Sequence, residues 1–181
     1  GDRLIFTAEP SELICADAKT GEILWQNSNS YIDVLDMSEE KRNEVRHIIQ
    51  ANANLASELK PLEKQVYQLK RRLRNNKSNE KLKKQLNKAE NDLAILKQEA
   101  GEIPKEFINP KTHNTNGYAS MTSCSDGEFI YSCNGLGIIT KHDLEGNRIW
   151  AKFMERPDHN WGAAVSPQLI GAKLIIRISD Y

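Results

Sequence analysis

Two short segments contain the histidines with the clearest chemical potential. His113-Asn114-Thr115-Asn116-Gly117 and His159-Asn160-Trp161-Gly162 echo each other, and Asp158 precedes the second histidine. Imidazole and carboxylate groups gathered at one surface could form a metal site or an acid–base pair. No close ligand spacing of the C-x-x-C or H-x-x-x-H kind supports this, so a structural role within a repeat competes with it. We therefore assign no catalytic, metal-binding or cofactor-binding residue.

The three cysteines are an odd number, which argues against a disulfide framework. Cys124 and Cys133 flank a predicted turn at 126–127, where the simplest hairpin register opposes Cys124 to Phe129. A disulfide between them would then have poor geometry. The sequence predicts three buried thiols, with Cys133 at a core position of its strand.

A basic set of side chains lies in the middle of the chain. Positions 38–100 contain 15 Lys and Arg against 9 Asp and Glu, although the whole chain has a formal charge of zero. Such a set could bind phosphates of nucleic acid, anionic lipid or an acidic polymer. A solvated helix surface is the alternative, and a single aromatic residue, Tyr67, offers no base-stacking platform for nucleic acid. The basic set consists of Lys70, Arg71, Arg72, Arg74, Lys77, Lys81, Lys83, Lys84 and Lys88.

The basic set lies on two predicted helices. Apolar positions recur at alternating steps of three and four, which is the a/d pattern of a coiled coil. The first stripe is Val45, Ile48, Asn52, Leu55, Leu59, Leu62, Val66, Leu69 and Leu73, and the second is Leu82, Leu86, Ala89, Leu93, Leu96 and Ala100. The polar turn at 75–79 between the stripes requires antiparallel pairing, and we expect a hairpin rod that projects from the rest of the protein.

The ends of the two helices have recognisable signals. Ser38 is placed to cap the first helix and Ser78 the second, while Gly101 is placed to end the second. Pro61 is expected to kink or break the first helix, because proline lacks the backbone N–H.

The segments on either side of the hairpin repeat each other. Residues 1–8 align with 126–133 at an offset of 125. The same offset aligns Ala8 with Cys133, Gly21 with Gly146 and Trp25 with Trp150. A third copy begins at Gly171, 45 residues after the second. Each copy opens with a small or acidic turn pair followed by an apolar strand, as hairpins prefer.

This spacing is typical of a β-propeller. A unit of about 45 residues with short strands, one glycine and one tryptophan resembles a blade. The longer first interval indicates an insertion between neighbouring blades. The sequence predicts a mainly antiparallel β fold, with two to three blades of an incomplete propeller and an inserted antiparallel coiled-coil hairpin. The predicted domains are 1–37, 38–101 and 102–181, in a piece of a longer protein whose open blade edges could also self-associate.

Residues 15–25 resemble the tryptophan-docking motif A-x-D-x-x-T-G-x-x-x-W of pyrroloquinoline-quinone (PQQ)-type propeller repeats. Cys15 replaces the alanine of that motif. The second copy is one residue shorter and lacks the threonine, and 162–171 resembles the entry strand of such blades. WD40 repeats fit worse, because Gln26 and Ala151 follow the tryptophans where that repeat would have aspartate. The predicted structural docking residues are Asp17, Thr20, Gly21, Trp25, Asp143, Gly146 and Trp150.

Three functions remain open at this stage, because one fold supports many activities. The resemblance favours a non-catalytic scaffold whose helical arm binds a protein partner. The same resemblance implies a periplasmic or extracellular location. It also implies a quinoprotein alcohol or sugar dehydrogenase with PQQ and Ca²⁺ in the full-length protein. Such enzymes often have an adjacent-cysteine disulfide, which this sequence lacks, and their calcium ligands cannot be placed on it. The third function is an anionic-polymer binder through the basic set. No apolar run is long enough to cross a bilayer, and we expect no signal peptide in this sequence.

Overall fold

The computed structural model describes residues 1–113, 115, 117–157 and 165–177. The chain divides into two compact units. Gly1–Met37 and Glu106–Tyr181 form a β unit, and Ser38–Lys105 form a helical unit.

The β unit contains three antiparallel sheets. Sheet 1 consists of β1 (Arg3–Ala8), β2 (Glu12–Asp17) and β3 (Ile23–Ser28). Sheet 2 consists of β4 (Cys124–Ser125), β5 (Phe129–Asn134), β6 (Ile138–Asp143) and β7 (Arg148–Phe153). Sheet 3 consists of β8 (Gln168–Ile170) and β9 (Lys173–Ile175). A short helix, α1 (Tyr31–Val34), follows sheet 1, and a 3-10 turn covers Lys105–Phe107.

The helical unit contains α2 (Glu39–Asn75) and α3 (Glu80–Gln98). Within the described residues, helices contain more residues than strands, so the fold is mixed and the expectation of a mainly β chain is wrong. The long inserted helices alone produce this result. The described strands form no closed barrel or ring.

The internal repeat is visible in the strands. β1–β3 and β5–β7 are two sets of three six-residue strands with the same pairing order. Arg3 pairs with Asp17 in sheet 1, and Phe129 pairs with Asp143 at the same place in sheet 2. The ladders therefore differ by one residue from the alignment of the sequences, and Cys133 corresponds to Thr7 instead of Ala8. The shorter turn in the second copy restores the match at the glycines and tryptophans.

Both repeats also share an irregularity in the ladder. The register shifts between Cys15 and Ala16 in sheet 1, and between Lys141 and His142 in sheet 2. A bulge at this place changes the direction of the following strand. Because it occurs just before each glycine turn, it belongs to the repeated unit.

Sheet 2 is covered on both faces. Ile130 and His142, cross-strand partners on one face, are almost fully buried, and the His142 ring stacks on Trp25 of sheet 1. On the opposite face, Cys133 and Ile139 join Met121 in an apolar cluster. Trp150 of sheet 2 and Leu174 and Ile176 near the end of the chain pack against that cluster. Sheet 2 is thus the middle layer of the β unit.

The turn between β4 and β5 differs from its prediction. Cys124 opposes Tyr131, two residues beyond the Phe129 that the simplest register gave. The Asp126 carboxylate explains the wider turn, because its Oδ1 accepts the backbone N–H groups of Glu128 (3.0 Å) and Phe129 (2.7 Å). A side chain has taken over hydrogen bonds that a tight turn would make between backbone groups.

All three cysteines are free thiols. Cys15 and Cys133 are buried as predicted, whereas Cys124 is only half-buried. Burial raises the pKa of Cys133 to about 11, so this thiol stays protonated at neutral pH.

The two long helices pack as an antiparallel hairpin. Val66, Leu69, Leu86 and Ala89 form its buried cluster, and both Leu73 and Leu82 pack against it. Two ion pairs cross between the helices, from Lys70 Nζ to Glu90 Oε1 at 2.8 Å and from Lys97 Nζ to Glu63 Oε1 at 3.0 Å. Their residues are one heptad apart on each helix and in opposite order, as antiparallel helices require.

The ends of the helices correct several expectations. Ser38 caps α2 through the backbone N–H of Lys41 at 3.2 Å, as predicted. Asn79, not Ser78, caps α3 and accepts from the Leu82 N–H at 3.1 Å. The helix α3 ends at Gln98, before the predicted Gly101, so Ala100 of the predicted stripe lies beyond the helix and is exposed.

Pro61 does not break the first helix, because α2 continues through it. Proline removes one i to i−4 hydrogen bond, here to the carbonyl of Ser57. Leu59 and Leu62 on either side are half-buried stripe positions, and Leu62 packs against the buried cluster of the hairpin. Packing against α3 therefore keeps the helix continuous where propensity alone would end it.

Candidate functional site

The first repeat of the predicted docking motif is a tight polar turn. Asp17 Oδ1 accepts hydrogen bonds from the backbone N–H groups of Thr20 (2.7 Å) and Lys19 (2.8 Å) and from the Thr20 hydroxyl (3.1 Å). These bonds, first that from the Thr20 N–H, hold the pKa of Asp17 below its usual value. Gly21 completes the turn with a φ of 75°, in the region that favours glycine.

The second repeat builds the same turn with fewer residues. The carboxylate of Asp143 accepts from the backbone N–H and from the side-chain amide of Asn147, both at 2.8 Å. The Asn147 side chain is the main cause of the lowered pKa of Asp143. Gly146 has a φ of 92°. Asn147 thus replaces the missing threonine as the partner of the aspartate.

Trp25 of sheet 1 contacts the turn of sheet 2. Its indole Nε1 donates to the carbonyl oxygen of Leu144 at 3.0 Å. The side-chain amide of Asn27, two residues further along β3, donates to the Gly146 carbonyl at 2.7 Å. A Cβ atom on Gly146 would lie 2.7 Å from Cδ2 of Trp25, so glycine alone allows the ring to approach. The motif residues of one sheet therefore bind those of the next.

His142 completes this contact from below the indole. Its ring centroid lies 6.2 Å from that of Trp25, and the two planes differ by 20°. The side chain is fully buried, and neither ring nitrogen has a hydrogen-bond partner within the described residues. Burial, with a further contribution from the positive charge of Arg148, lowers the pKa of His142 to about 4. This imidazole is neutral at neutral pH.

Trp150 has the equivalent place in the second repeat. It lies on β7 and packs against the cluster of Met121, Cys133 and Ile139, which Leu174 also contacts. Each tryptophan thus projects from the third strand of its repeat toward the following sheet. The seven predicted docking residues form structural contacts of this kind or the turns that present them.

The histidine hypothesis gains no support from the described residues. His113 Nδ1 accepts the backbone N–H of Thr115 at 3.2 Å, and its carbonyl accepts the Gly117 N–H at 3.0 Å, so it shapes a local turn. Asp158 and the segment His159–Gly162 lie outside the described residues. Where the structure describes the chain, no group of three or more His, Cys, Asp or Glu side chains is arranged to hold a metal ion.

The basic set lies on the hairpin and is accessible. All nine side chains are exposed except that of Lys83, which is half-buried. Lys70 pairs with Glu90, and Lys83 pairs with Glu80 at 2.7 Å. The other seven have no ion pair within the described part of the chain. These are Arg71, Arg72, Arg74, Lys77, Lys81, Lys84 and Lys88.

A groove of about 390 Å³ follows one side of the hairpin. The buried residues Leu69 and Ala89 lie at its floor, and Arg72 and Lys88 are its two basic side chains. The remaining lining residues are polar or acidic, namely Gln65, Gln68, Gln85 and Asp92. Two members of the basic set therefore belong to a shaped, largely polar surface.

Three features escaped the sequence analysis. The groove depends on which sides of the two helices face each other. The stripes predict those sides, whereas the composition does not. His142 is one of four histidines, and only the tertiary contact with Trp25 distinguishes it. Asn52 was predicted only as a member of the first stripe, yet its side-chain amide accepts the N–H of Gly101 (2.9 Å) and donates to the Gly101 carbonyl (2.8 Å). A polar residue at an a or d position was the available signal for it.

Comparisons with protein-family models, with curated proteins and with solved structures each gave no match. No helix in the described part of the chain combines the length and the apolar character that crossing a bilayer requires.

Proposed function

We propose that this chain is a non-catalytic binding or scaffold protein built from PQQ-like propeller repeats. In this proposal the β unit supplies blades, and the helical hairpin of α2 and α3 is the arm that binds a protein partner. The proposal places the full-length protein in the periplasm or outside the cell, where repeats of the kind it resembles usually work.

The use of the motif residues supports the structural half of the proposal. Asp17 and Asp143 bind their own turns, and Trp25 binds the next sheet through Leu144. An indole that is occupied in this way holds two sheets together, and the carboxylates hold the turn of each repeat in shape. Trp150 of the second repeat packs against an apolar cluster that Leu174 and Ile176 also contact, as neighbouring blades would require.

The observation that carries the binding half is the unpaired charge of the hairpin. Seven basic side chains there have no ion pair within the described residues. Lys70 and Lys97 of the same hairpin, in contrast, pair with glutamates across the two helices. Exposed charge of one sign on a rigid element attracts an oppositely charged partner and speeds its association. An acidic protein surface fits this arm.

Photo-crosslinking tests the proposal. A photoreactive amino acid is placed on the hairpin at Lys81, and a matched one on the β unit at Lys173, both exposed. We expect crosslinks in the native host to one recurrent protein from the hairpin position and not from the control. Crosslinks that arise only from the β unit would contradict the proposed role of the arm.

A cofactor titration tests the absence of catalysis. PQQ and Ca²⁺ are added to the full-length protein with alcohols and sugars, and dye reduction is followed. We expect no PQQ-dependent oxidation. Turnover that requires both additions would replace the scaffold by a quinoprotein dehydrogenase.

A further inference from the structure

The two sides of the hairpin interface differ in how they are closed. On one side, Lys70 pairs with Glu90 and Glu63 pairs with Lys97. These two ion pairs cross between the helices and lie one heptad apart, and each neutralises the charges of its two side chains. This side of the hairpin has the complementary charges of a finished antiparallel pair.

The other side has like charges in the same register. Arg72 lies two residues beyond Lys70 on α2, and Lys88 lies two residues before Glu90 on α3. Antiparallel packing therefore places Arg72 opposite Lys88, and both line the groove. Asp92 is the single acidic residue of the groove lining, and no ion pair joins it to either cation within the described residues. The two cations therefore repel, and the repulsion is relieved by an anion that lies between them.

The remaining groove residues suit an extended or helical peptide. Gln65, Gln68 and Gln85 present amides that can donate to and accept from a peptide backbone. Ala89 is a small residue at the floor and leaves depth beside Leu69. Arg72 offers a planar guanidinium, which matches the geometry of a carboxylate.

We propose that this groove binds an acidic segment of a partner protein, with an Asp or Glu carboxylate seated between Arg72 and Lys88. The inference rests on the proposed function, and it names the site and the chemistry of the partner. Nucleic acid fits less well, since the groove has two cations and one carboxylate, Asp92, and its lining has no aromatic residue. Affinity for nucleic acid comes from many phosphate contacts and from base stacking.

Fluorescence anisotropy with the whole 181-residue chain tests this inference. The probe is a labelled synthetic peptide of alternating Glu and Ala, measured in 0.15 M salt, where distant charges are screened within about 8 Å. Arg72→Glu places a carboxylate opposite Lys88 and closes the groove from within. We expect it to weaken peptide binding about tenfold, because one charge-assisted contact is lost and the other is occupied.

The matched control is Arg71→Glu, which makes the same change of charge at an exposed position outside the groove. We expect it to weaken binding by less than about twofold, since screened surface charge contributes little. Arg72→Glu should also keep or raise the thermal midpoint, because it creates a pair like that of Lys70 and Glu90. Loss of binding in a variant of unchanged stability cannot arise from unfolding.

Three results would overturn the inference. The first is an equal loss of peptide affinity in both variants, which would indicate general surface electrostatics. The second is tighter binding of a single-stranded oligonucleotide of equal charge than of the peptide. The third is no measurable peptide binding. If partner crosslinks still map to Lys81 in the third case, the proposed function stands and only the groove assignment fails.

Discussion

Gly21 and Gly146 occupy equivalent turns but have different neighbours. Both have a positive φ, so Gly→Ala at either position costs about 1–2 kcal/mol in backbone strain. A Cβ on Gly21 meets nothing within 4 Å, whereas a Cβ on Gly146 meets the Trp25 ring at 2.7 Å. We expect Gly146→Ala to destabilise the protein by roughly 1–3 kcal/mol more than Gly21→Ala, as overpacking does. Urea unfolding of the two variants measures this difference.

The control for this prediction is a double-mutant cycle. In a Trp25→Ala background the ring is gone, so the extra cost of Gly146→Ala should largely disappear, and the two alanine variants should become alike. An extra cost that persists without the ring would place the steric conflict elsewhere than at the indole.

The importance of these residues could be predicted, but their partners could not. The spacing of Gly21 and Trp25 repeats at Gly146 and Trp150, and the resemblance to the docking motif added Asp17. That Trp25 binds Leu144 depends on where the second sheet lies, over one hundred residues away along the chain. Such a contact has no local signal in the sequence.

At the scale of single elements, Pro61 is a defect in an otherwise regular helix. It is exposed and leaves the Ser57 carbonyl without its intrahelical donor. Pro61→Ala restores that bond and should stabilise the hairpin by about 1–3 kcal/mol. Circular dichroism during thermal unfolding measures it, with Lys60→Ala as the control that alters no backbone bond. A lower midpoint for Pro61→Ala would show that the proline ring itself contributes packing.

Asn52 ties the end of the hairpin to its first helix. Its amide satisfies both backbone groups of Gly101, beyond the last residue of α3. Asn52→Ala should cost about 1–2 kcal/mol and remove hydrogen-exchange protection at the Gly101 amide, because two hydrogen bonds are lost. Asn43→Ala, at an exposed position of α2, is the control. Protection of Gly101 that survives in Asn52→Ala would contradict this account.

The heptad spacing predicted the less exposed face of α2 well. Each predicted stripe position of α2, from Val45 to Leu73, is buried or half-buried. This succeeds because a helix brings residues three and four apart to one face, whatever surrounds it. The ends of the helices were predicted less well, since Ser78 and Asn79 are both good caps and their sequence context does not choose between them.

Strand register showed the same limit. A single carboxylate, that of Asp126, moved the partner of Cys124 from Phe129 to Tyr131. Alternation of apolar residues predicts that a strand exists, but a side chain that bonds the backbone sets the length of the turn.

At the scale of the whole molecule, the repeat correctly indicated antiparallel sheets with equivalent strands. It could not indicate what lies between them. His142 is buried beneath Trp25, and nothing in its local sequence distinguishes it from an exposed histidine such as His47. Burial of a titratable group depends on the complete set of neighbours, and it makes the stability of the fold depend on pH.

The buried imidazole of His142 predicts a loss of stability in mild acid. Its pKa is about 4 in the folded protein, against 6.5 for an ordinary histidine. The unfolded chain therefore binds the proton first, and stability falls as the pH drops from 6.5 toward 4. At pH 5 this amounts to about 2 kcal/mol relative to neutral pH. The aspartates with lowered pKa values, Asp17, Asp126 and Asp143, lose their contribution only below 3.8, outside this window.

Urea unfolding at pH 7 and pH 5 tests this prediction on three proteins. His142→Phe keeps an aromatic ring against Trp25 but cannot titrate, so most of the loss between the two pH values should vanish. His47→Gln removes an exposed histidine and should behave as the unaltered protein does. If His142→Phe still loses about 2 kcal/mol on acidification, another group controls the pH dependence. The contact between the two sheets would then not be the acid-sensitive part of the fold.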